Sequence, residues 1–311
     1  MTASTPFRFG VVATPPRTGT AWLDHARHVE SLGFDTLVAP DSIAHGLSVL
    51  PLLAAAATVT TRLHLGTYVL ANDFRHPVLV AKDAVTLAVL SDGRFELGIG
   101  AGHPGTGPDD AMIGRTFDRP GVRVSRLAES VDIIRRLLAG QTVTTTGEHY
   151  TTTEASVLPH GTDLPHVPLL IGAGGPRMLT LAAQHADTVA LGIPLDADAP
   201  TATALVTLLH DAATTAGRDA PVELNINLMA VGDAVPRYLA DRIDPAALAA
   251  RGAVSVVSGS PQEMADQLRE RRERLGVSYF VVSEELVDAF TPVLRLLSGE
   301  RGRPGVSASR G

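Results

Sequence analysis

The chain has 311 residues, of which 45% are hydrophobic, and a formal net charge of -7. The acidic balance argues against a nucleic-acid partner, which needs a basic surface, and the absence of cysteine excludes disulfides, thiolate nucleophiles, iron–sulfur clusters and cysteine zinc sites. We therefore expect a cytoplasmic protein, folded as a single domain over residues 1–311, with an ample hydrophobic core.

The start of the chain, residues 1–6, has no basic segment leading into an apolar run. We predict a loose tail there and no secretory signal. The most apolar window, residues 49–57, is far shorter than the roughly 20 residues that a membrane-spanning helix needs. The sequence therefore predicts neither a membrane helix nor a membrane partner.

From residue 7 onward, a short apolar strand, a polar or glycine-bearing loop and a helical pattern repeat along the chain. The predicted strands cover residues 7–12, 36–39, 63–70, 95–100, 169–171, 188–191, 223–231 and 277–282. The predicted helices include residues 50–58, 78–90, 122–138, 201–216 and 261–275, and a further one begins at Pro176. Strands that alternate with crossover helices form a parallel sheet, and eight such units favour closure into a (β/α)8 TIM barrel.

Two insertions follow the fourth unit. Residues 103–120 are rich in Gly, Pro and Asp, which predicts an inserted loop. Within residues 141–168, two short Thr-rich runs flank Gly147 and Glu148, which predicts a small hairpin outside the main sheet. The end of the chain, about residues 298–311, has little apolar content and is predicted to be a disordered tail.

The most informative stretch follows the fifth strand. The apolar run at residues 169–171 breaks into three glycines, Gly172, Gly174 and Gly175. These glycines allow positive φ and carry no Cβ, so consecutive backbone N–H groups can face one concave spot. Pro176 suits the first position of a helix, whose positive dipole end attracts anions, and Arg177 can add a full charge. We predict a phosphate-binding cup at the end of this strand.

Because a TIM barrel carries its chemistry at the carboxyl ends of its strands, other residues that follow strands are candidates too. Asp41 follows the second strand and is either functional or a loop and capping residue. His103 lies beside a glycine-rich turn after the fourth strand, and both it and His45 are of a residue type that commonly acts as a general acid or base. Arg123 and Arg126 begin a helix and either pair with acids on its outer face or contact a phosphate or a lid.

With these segments in view, the chain resembles the luciferase-like flavin and deazaflavin oxidoreductase superfamily. The matching segments, in family order, are LGT at 65–67, NDFRHP at 72–77, LSDGRFELGIGAG at 90–102, GVRVSRL at 121–127 and IGAGGPR at 171–177. The resemblance covers about residues 7–297. The third strand and its loop look most like the actinobacterial branch that uses coenzyme F420.

This resemblance implies a set of cofactor-binding residues. Members have a non-prolyl cis peptide in a bulge at the end of the third strand, which supports the ring of the cofactor, and the matching bond joins Tyr68 and Val69. Ala101 and Gly102 would then edge the ring. The cofactor phosphate would bind the cup formed by Gly172, Ala173, Gly174, Gly175 and Arg177.

The resemblance also implies catalytic residues. Sugar-phosphate and alcohol dehydrogenases of the family carry an Asp-His pair after the second strand and a Glu after the glycines of the fourth. The matching positions here are Asp41 with Ser42, and His103. Since the usual base is replaced by serine, His45 or His103 is the candidate replacement.

The sequence therefore predicts an oxidoreductase that exchanges a hydride between F420 and a small organic substrate at the mouth of the barrel. One alternative is an FMN-dependent luciferase-like monooxygenase that uses reduced flavin and O2, because both cofactors share a tricyclic ring and a phosphate-bearing arm. A second alternative is a cofactor-free binding barrel. We expect no metal site, and the resemblance implies a homodimer with the early barrel helices at its interface.

Overall fold

Strands and helices alternate along the chain, as the sequence predicts. The computed structural model describes residues 5–14, 18–157 and 165–301. The strands in these residues are β1 (Arg8–Val12), β2 (Thr36–Ala39), β3 (His64–Thr67), β4 (Leu70–Ala71), β5 (Phe95–Gly100), β6 (Val143–Thr146), β7 (Thr151–Ala155), β8 (Leu169–Ala173), β9 (Thr188–Leu191), β10 (Glu223–Leu228), β11 (Ala230–Val231), β12 (Val256–Val257) and β13 (Val277–Ser283). The helices are α1 (Gly19–Leu32), α2 (Val49–Ala57), α3 (Pro77–Leu90), α4 (Gly107–Met112), α5 (Pro120–Leu138), α6 (Pro176–His185), α7 (Ala199–Thr215), α8 (Pro245–Ala250), α9 (Pro261–Leu275) and α10 (Val287–Leu296).

The main sheet closes into a barrel. Its strands lie in the order β3, β2, β1, β13, β10, β9, β8 and β5, and β5 pairs again with β3, where Phe95 lies opposite Leu65. The pairings are parallel, and β4 continues β3 after a two-residue break and pairs with β5. A helix follows each of the eight strand positions, so the predicted (β/α)8 TIM barrel is confirmed.

Strand β10 illustrates how the sequence sorts residues between the two faces of the barrel wall. Leu224, Ile226 and Leu228 belong to the main core, which lies between the strands and the surrounding helices. The alternating residues Glu223, Asn225 and Asn227 therefore face the barrel interior, because successive side chains in a strand point to opposite faces. A small apolar cluster around Tyr279 and Val281 fills part of that interior.

The insertion at residues 103–120 is more regular than predicted. It contains helix α4, preceded by a 3-10 turn at Pro104–Thr106, rather than a structureless loop. Two of its three acidic residues, Asp109 and Asp110, are buried. Asp109 accepts hydrogen bonds from the loop after β2, so tertiary contacts stabilise a helix too short to be recognised from periodicity.

The predicted hairpin is confirmed. Strands β6 and β7 pair antiparallel outside the barrel sheet. Their turn is held by the Glu129 carboxylate, which accepts hydrogen bonds from the amides of Glu148, His149 and Tyr150 at 2.9, 3.0 and 3.1 Å. The hairpin is therefore attached to helix α5.

The beginning of the predicted C-terminal tail is ordered. Residues 298–301 continue past α10, and the Glu300 carboxylate accepts a hydrogen bond from Arg272 at 2.7 Å. Phe7 forms a parallel bridge with Arg301. The prediction of disorder from residue 298 is therefore wrong at these positions, because their charges pair with the barrel instead of with water. The outer parts of the predicted tails, residues 1–4 and 302–311, lie outside the described residues.

Candidate active site at the barrel mouth

A cavity of about 440 Å³ opens at the carboxyl ends of the barrel strands. Its lining includes Asp41, His103, Asn227, Met229 and residues 68–71, 100–102, 172–174 and 190–193. The cavity brings together nine of the predicted site residues, namely Asp41, Tyr68, Val69, Ala101, Gly102, His103, Gly172, Ala173 and Gly174. Gly175, Arg177 and His45 are not among its lining residues.

One wall is the bulge between β3 and β4. The bond between Tyr68 and Val69 is a cis peptide, as the resemblance implies. The Tyr68 hydroxyl donates a hydrogen bond to Asn225 Oδ1 at 2.6 Å, and both residues of the cis bond pack on the apolar cluster inside the barrel. Burial raises the pKa of Tyr68 far above its ordinary value, so this side chain remains a neutral donor.

A second wall is the turn that follows β5. Gly102 has a φ of 72°, the left-handed region that favours glycine. The buried Arg123 side chain donates from Nη1 to the carbonyl oxygens of Ala101 and Gly102, at 2.7 and 2.6 Å. Arg123 is therefore neither an outer-face ion pair nor a free phosphate ligand; it binds the backbone of the cavity wall from behind.

The glycine cup is present at the end of β8, but its geometry differs from the prediction. Gly172, Gly174 and Gly175 do not have positive φ, so that part of the prediction is wrong. Gly174 is required for a different reason: a Cβ there would lie 2.5 Å from the carbonyl oxygen of Gly192 in the neighbouring loop. Gly175 is the N-cap of α6 and provides no side-chain hydrogen bond, so the first amides of that helix lack a side-chain cap.

Arg177 lies beside the cup, one residue into α6. It is exposed, and the one hydrogen bond that it forms with the described residues, from Nη1 to the Gly121 carbonyl oxygen, is long at 3.4 Å. Its guanidinium is therefore available to an anion near the start of the helix, with little protein contact to break.

Asp41 lines the cavity, but its carboxylate is already engaged. Arg75 donates from Nη1 to Oδ2 at 2.5 Å and from Nη2 to Oδ1 at 3.0 Å. The Ala71 amide donates to Oδ2 at 3.2 Å. Both carboxylate oxygens therefore hold the segment around β4, and Asp41 accepts a substrate proton only if it gives up part of this contact.

His103 has one ring nitrogen that faces its own loop. The Gly105 amide donates to Nδ1 at 3.0 Å. Because a nitrogen that accepts a hydrogen bond carries no proton, the neutral imidazole holds its proton at Nε2. His103 is exposed and lines the cavity, so it can donate this proton to a bound oxygen.

His45 is exposed and does not line the cavity. Its loop is fixed by Asp109, which accepts hydrogen bonds from Ser42 Oγ at 3.0 Å and from the amides of Ile43 and Ala44 at 3.1 and 2.9 Å. Burial alone would raise the pKa of Asp109, but these donors outweigh it and lower the pKa. The structure therefore does not bring His45 together with the other candidates.

Several contacts of the site were not predicted from the sequence. Asn227 and Met229 line the cavity from the end of β10, and Arg75 holds Asp41. The alternation of Asn225 and Asn227 with apolar residues was a usable signal, since polar residues two apart in a buried strand share the interior face. The partner of Asp41 carried no local signal, because it lies 34 residues away in sequence.

Similar proteins support the fold and the family. The F420-dependent glucose-6-phosphate dehydrogenase of Nakamurella multipartita is 35% identical over 191 residues, covering 58% of this chain and 55% of that protein. The F420-dependent hydroxymycolic acid dehydrogenase of Mycobacterium tuberculosis is 31% identical over 171 residues, covering 52% and 46%. The chain spans about half the length of the curated relatives it matches.

Solved structures share the fold at low sequence identity. The coenzyme F420 dependent tetrahydromethanopterin reductase from Methanopyrus kandleri has a TM-score of 0.74 and 21% identity, covering 96% of this chain and 99% of that one. The riboflavin lyase RcaE, solved with modified FMN and riboflavin, has a TM-score of 0.79 and 16% identity, covering 97% and 94%. Similarity at this level concerns the barrel alone.

The family follows from a longer match. The family model described as luciferase-like monooxygenase matches residues 2–237, about three quarters of the chain. The match includes the segments after β3, β5 and β8, which carry the resemblance and line the cavity. No helix among the described residues combines the length and apolar character needed to cross a membrane. The chain belongs to the luciferase-like monooxygenase family.

Proposed function

We propose that this chain is an oxidoreductase that exchanges a hydride between coenzyme F420 and a small organic substrate at the mouth of its barrel. The observation that carries the proposal is one cavity lined by all three segments assigned to the cofactor: Tyr68 with Val69, Ala101 with Gly102, and residues 172–174. The names of the curated relatives support F420 over other cofactors.

The residues present fit a flat ring that carries a phosphate. A Cβ added at Gly172 would meet only Val69 Cγ2, at 3.9 Å, and one added at Gly175 would meet nothing within 4 Å. These positions therefore leave open space that is not needed for packing between protein atoms. The cavity volume of about 440 Å³ lies in the range of small-molecule sites.

In this proposal the phosphate binds at the start of α6. The amides of Gly174 and Gly175 and the uncapped first turn of the helix supply donors and a positive dipole end. Arg177 adds a charge at the rim. When bound, the deazaflavin supplies the hydride chemistry, and the cis bulge and the turn after β5 orient it and exclude water from one side.

We assign the role of proton donor to the substrate to His103 rather than to Asp41 or His45. The His103 Nε2–H is free of its own loop, whereas both oxygens of Asp41 bind Arg75 and His45 lies outside the cavity lining. In this assignment Asp41 positions the segment around β4. His103→Asn should lower kcat at least tenfold and leave the affinity for F420 within twofold, since general acid–base catalysis contributes about 10² or more.

The test is a titration of the purified chain with F420 and, separately, with FMN, followed by the fluorescence of each ring. The proposal predicts saturable binding of F420. Binding of FMN alone would favour the luciferase-like monooxygenase alternative, which the likeness to the FMN-containing riboflavin lyase keeps open. Binding of neither cofactor would favour the cofactor-free barrel.

We also propose a homodimer. Helix α3 carries three exposed apolar side chains, Leu79, Val89 and Leu90, which are 59%, 55% and 53% exposed. A partner that covers them would remove this apolar area from water. Sedimentation at micromolar concentration should give a dimer for the wild type and for Leu208→Glu, a control on α7, but a monomer for Leu79→Glu. A monomeric wild type would contradict the proposal.

A further inference from the structure

The carbonyl oxygens of the turn after β5 accept hydrogen bonds from other groups of the protein. The Ala101 and Gly102 oxygens accept from Arg123 Nη1 at 2.7 and 2.6 Å. The His103 oxygen accepts from the Thr106 amide and from Thr106 Oγ1, each at 2.8 Å. Three successive carbonyl oxygens of the cavity wall are therefore satisfied by groups of the protein.

The backbone amides of the same turn differ from its carbonyl groups in their hydrogen bonding. In the part of the chain that the structure describes, the amides of Gly102 and His103 donate to no other group. In a trans peptide the N–H points opposite to the preceding C=O. Because both carbonyls point to Arg123, both N–H groups point away from it, and both residues line the cavity.

Arg123 is held firmly enough to set this orientation. Its side chain is buried, its Nε donates to the Asp118 carbonyl oxygen at 3.0 Å, and its guanidinium stacks 4.2 Å from the centre of the Phe117 ring. The planar guanidinium cannot lose its charge and binds several acceptors at fixed angles. Gly102, which joins the two peptide groups that bind this nitrogen, has a left-handed φ of 72°.

We infer that Arg123 is a positioning residue that directs the Gly102 and His103 amides into the cavity as a donor pair for a ligand oxygen that carries partial negative charge. The chemistry is that of two adjacent N–H groups stabilising one electron-rich oxygen. The oxygen belongs either to the cofactor ring or to the substrate. The assignment of the oxygen to the cofactor ring rests on the proposed function. The experiment distinguishes failure of this inference from failure of the proposed function.

The test is residue-resolved amide hydrogen exchange by NMR on the full chain, alone, with F420, with acetate as an oxyanion probe, and with both. The Gly102 and His103 amides should exchange freely in the ligand-free protein and at least tenfold more slowly when their acceptor is bound. Slowing with F420 alone assigns the oxygen to the ring. Slowing only when acetate is present assigns it to the substrate position.

Three variants connect the effect to Arg123. Arg123→Gln should abolish the ligand-dependent slowing, and Arg123→Lys, which keeps a charge near the carbonyls, should restore part of it. The matched control is Arg126→Gln, one turn further along α5. Arg126 pairs with the carboxylates of Asp73 and Asp118 and not with the cavity wall, so its variant should lose thermal stability but keep the slowing.

The outcomes are distinguishable. If the wild type does not bind F420, the proposed function fails, and the acetate arm alone still tests the donor pair. Absence of slowing in every arm with the wild type overturns the inference. Equal slowing in the wild type and in folded Arg123→Gln also overturns it, because the amides would then be oriented without the guanidinium.

Discussion

The two ends of the barrel interior are built from opposite kinds of residue. The amino-terminal end is filled by large charged side chains that pair with one another, whereas the lining of the mouth includes glycines and backbone amides that have no partner among the described residues. At the closed end, Arg8 pairs with Glu96 and, at 2.7 Å, with Glu223. At the open end, Gly102 and Gly172 leave backbone facing a cavity. The difference separates the groups that stabilise the barrel from those available to a ligand.

The closed end is a single network. His64 Nδ1 lies 2.9 Å from Glu96 Oε1, and the Arg8 guanidinium lies 4.5 Å from the centre of the Tyr279 ring. Burial alone would raise the pKa of Glu96, but Arg8 and His64 outweigh it and lower the pKa to about 2. These residues come from the beginnings of five strands, β1, β3, β5, β10 and β13, so the network ties several parts of the barrel wall together.

The largest expected effect comes from breaking this network. Arg8→Met removes the arginine that pairs with the buried Glu96 and the partly buried Glu223, which should cost about 3–5 kcal/mol of the free energy of unfolding in urea. Cofactor affinity of the folded variant should stay within twofold of the wild type, because the change lies at the opposite end from the cavity. A cost below about 1 kcal/mol would mean that water already solvates these carboxylates.

Acid should weaken the closed end selectively. The pKa of Glu96 in the folded chain is about 2, against 4.5 for the free side chain. Its contribution to stability is therefore present above pH 4.5 and is lost as the pH falls towards 2, by about 3 kcal/mol in total. The free energy of unfolding in urea should decrease less between pH 6 and pH 3 in Glu96→Gln than in the wild type. Parallel curves for the two proteins would contradict this assignment.

At the mouth, two glycines of the cup should respond differently to substitution. Gly174→Val places a Cβ 2.5 Å from the Gly192 carbonyl oxygen, so it should cost about 1–3 kcal/mol of unfolding free energy and also weaken cofactor binding. In Gly172→Ala, the added Cβ meets only Val69 Cγ2, at 3.9 Å. This variant should change the free energy of unfolding by less than about 0.5 kcal/mol and still weaken cofactor binding. Calorimetry of both variants measures their stability, and fluorescence titration measures their affinity for the cofactor. Unchanged cofactor affinity in both would reduce the cup to a tight turn.

The smallest effect is expected at the rim. Arg177→Ala removes an exposed charge that forms one long hydrogen bond, 3.4 Å, with the described residues, so stability should be unchanged. Its loss should weaken cofactor binding by about 1–2 kcal/mol, the range of a hydrogen bond to a charged group. Arg136→Ala, at a partly exposed position on α5, is the control for a general change of surface charge. If Arg177→Ala and Arg136→Ala bind the cofactor with equal affinity, the cofactor phosphate does not bind beside Arg177.

The barrel was predictable because its signals are local. Strands 36–39, 95–100 and 188–191 and the helix at 261–275 have the predicted bounds. In α9, Ser260 and Glu263 form a capping box, and Gly276 ends the helix in the left-handed region. Helix α10 was missed, since Pro292 lies inside its pattern and interrupts the helical signal.

The site was predictable only in part. The glycine cup and the turn after β5 follow strands and could be recognised from residue type, and the resemblance added the cis bulge. The arginines that fix these segments could not be assigned, because their partners lie far away in sequence. Arg75 binds Asp41 across 34 residues, and Arg123 reaches the Gly102 carbonyl across 21. Such pairings depend on tertiary structure.

The cofactor site is tested most directly by a crystal structure of the chain grown with F420. We expect the ring in the mouth cavity between the Tyr68–Val69 bulge and the turn at Gly102, with the phosphate within hydrogen-bond distance of the Gly174 or Gly175 amide. A ring bound outside this cavity, or a phosphate remote from the start of α6, would contradict the claim that the open end of the barrel is the cofactor site.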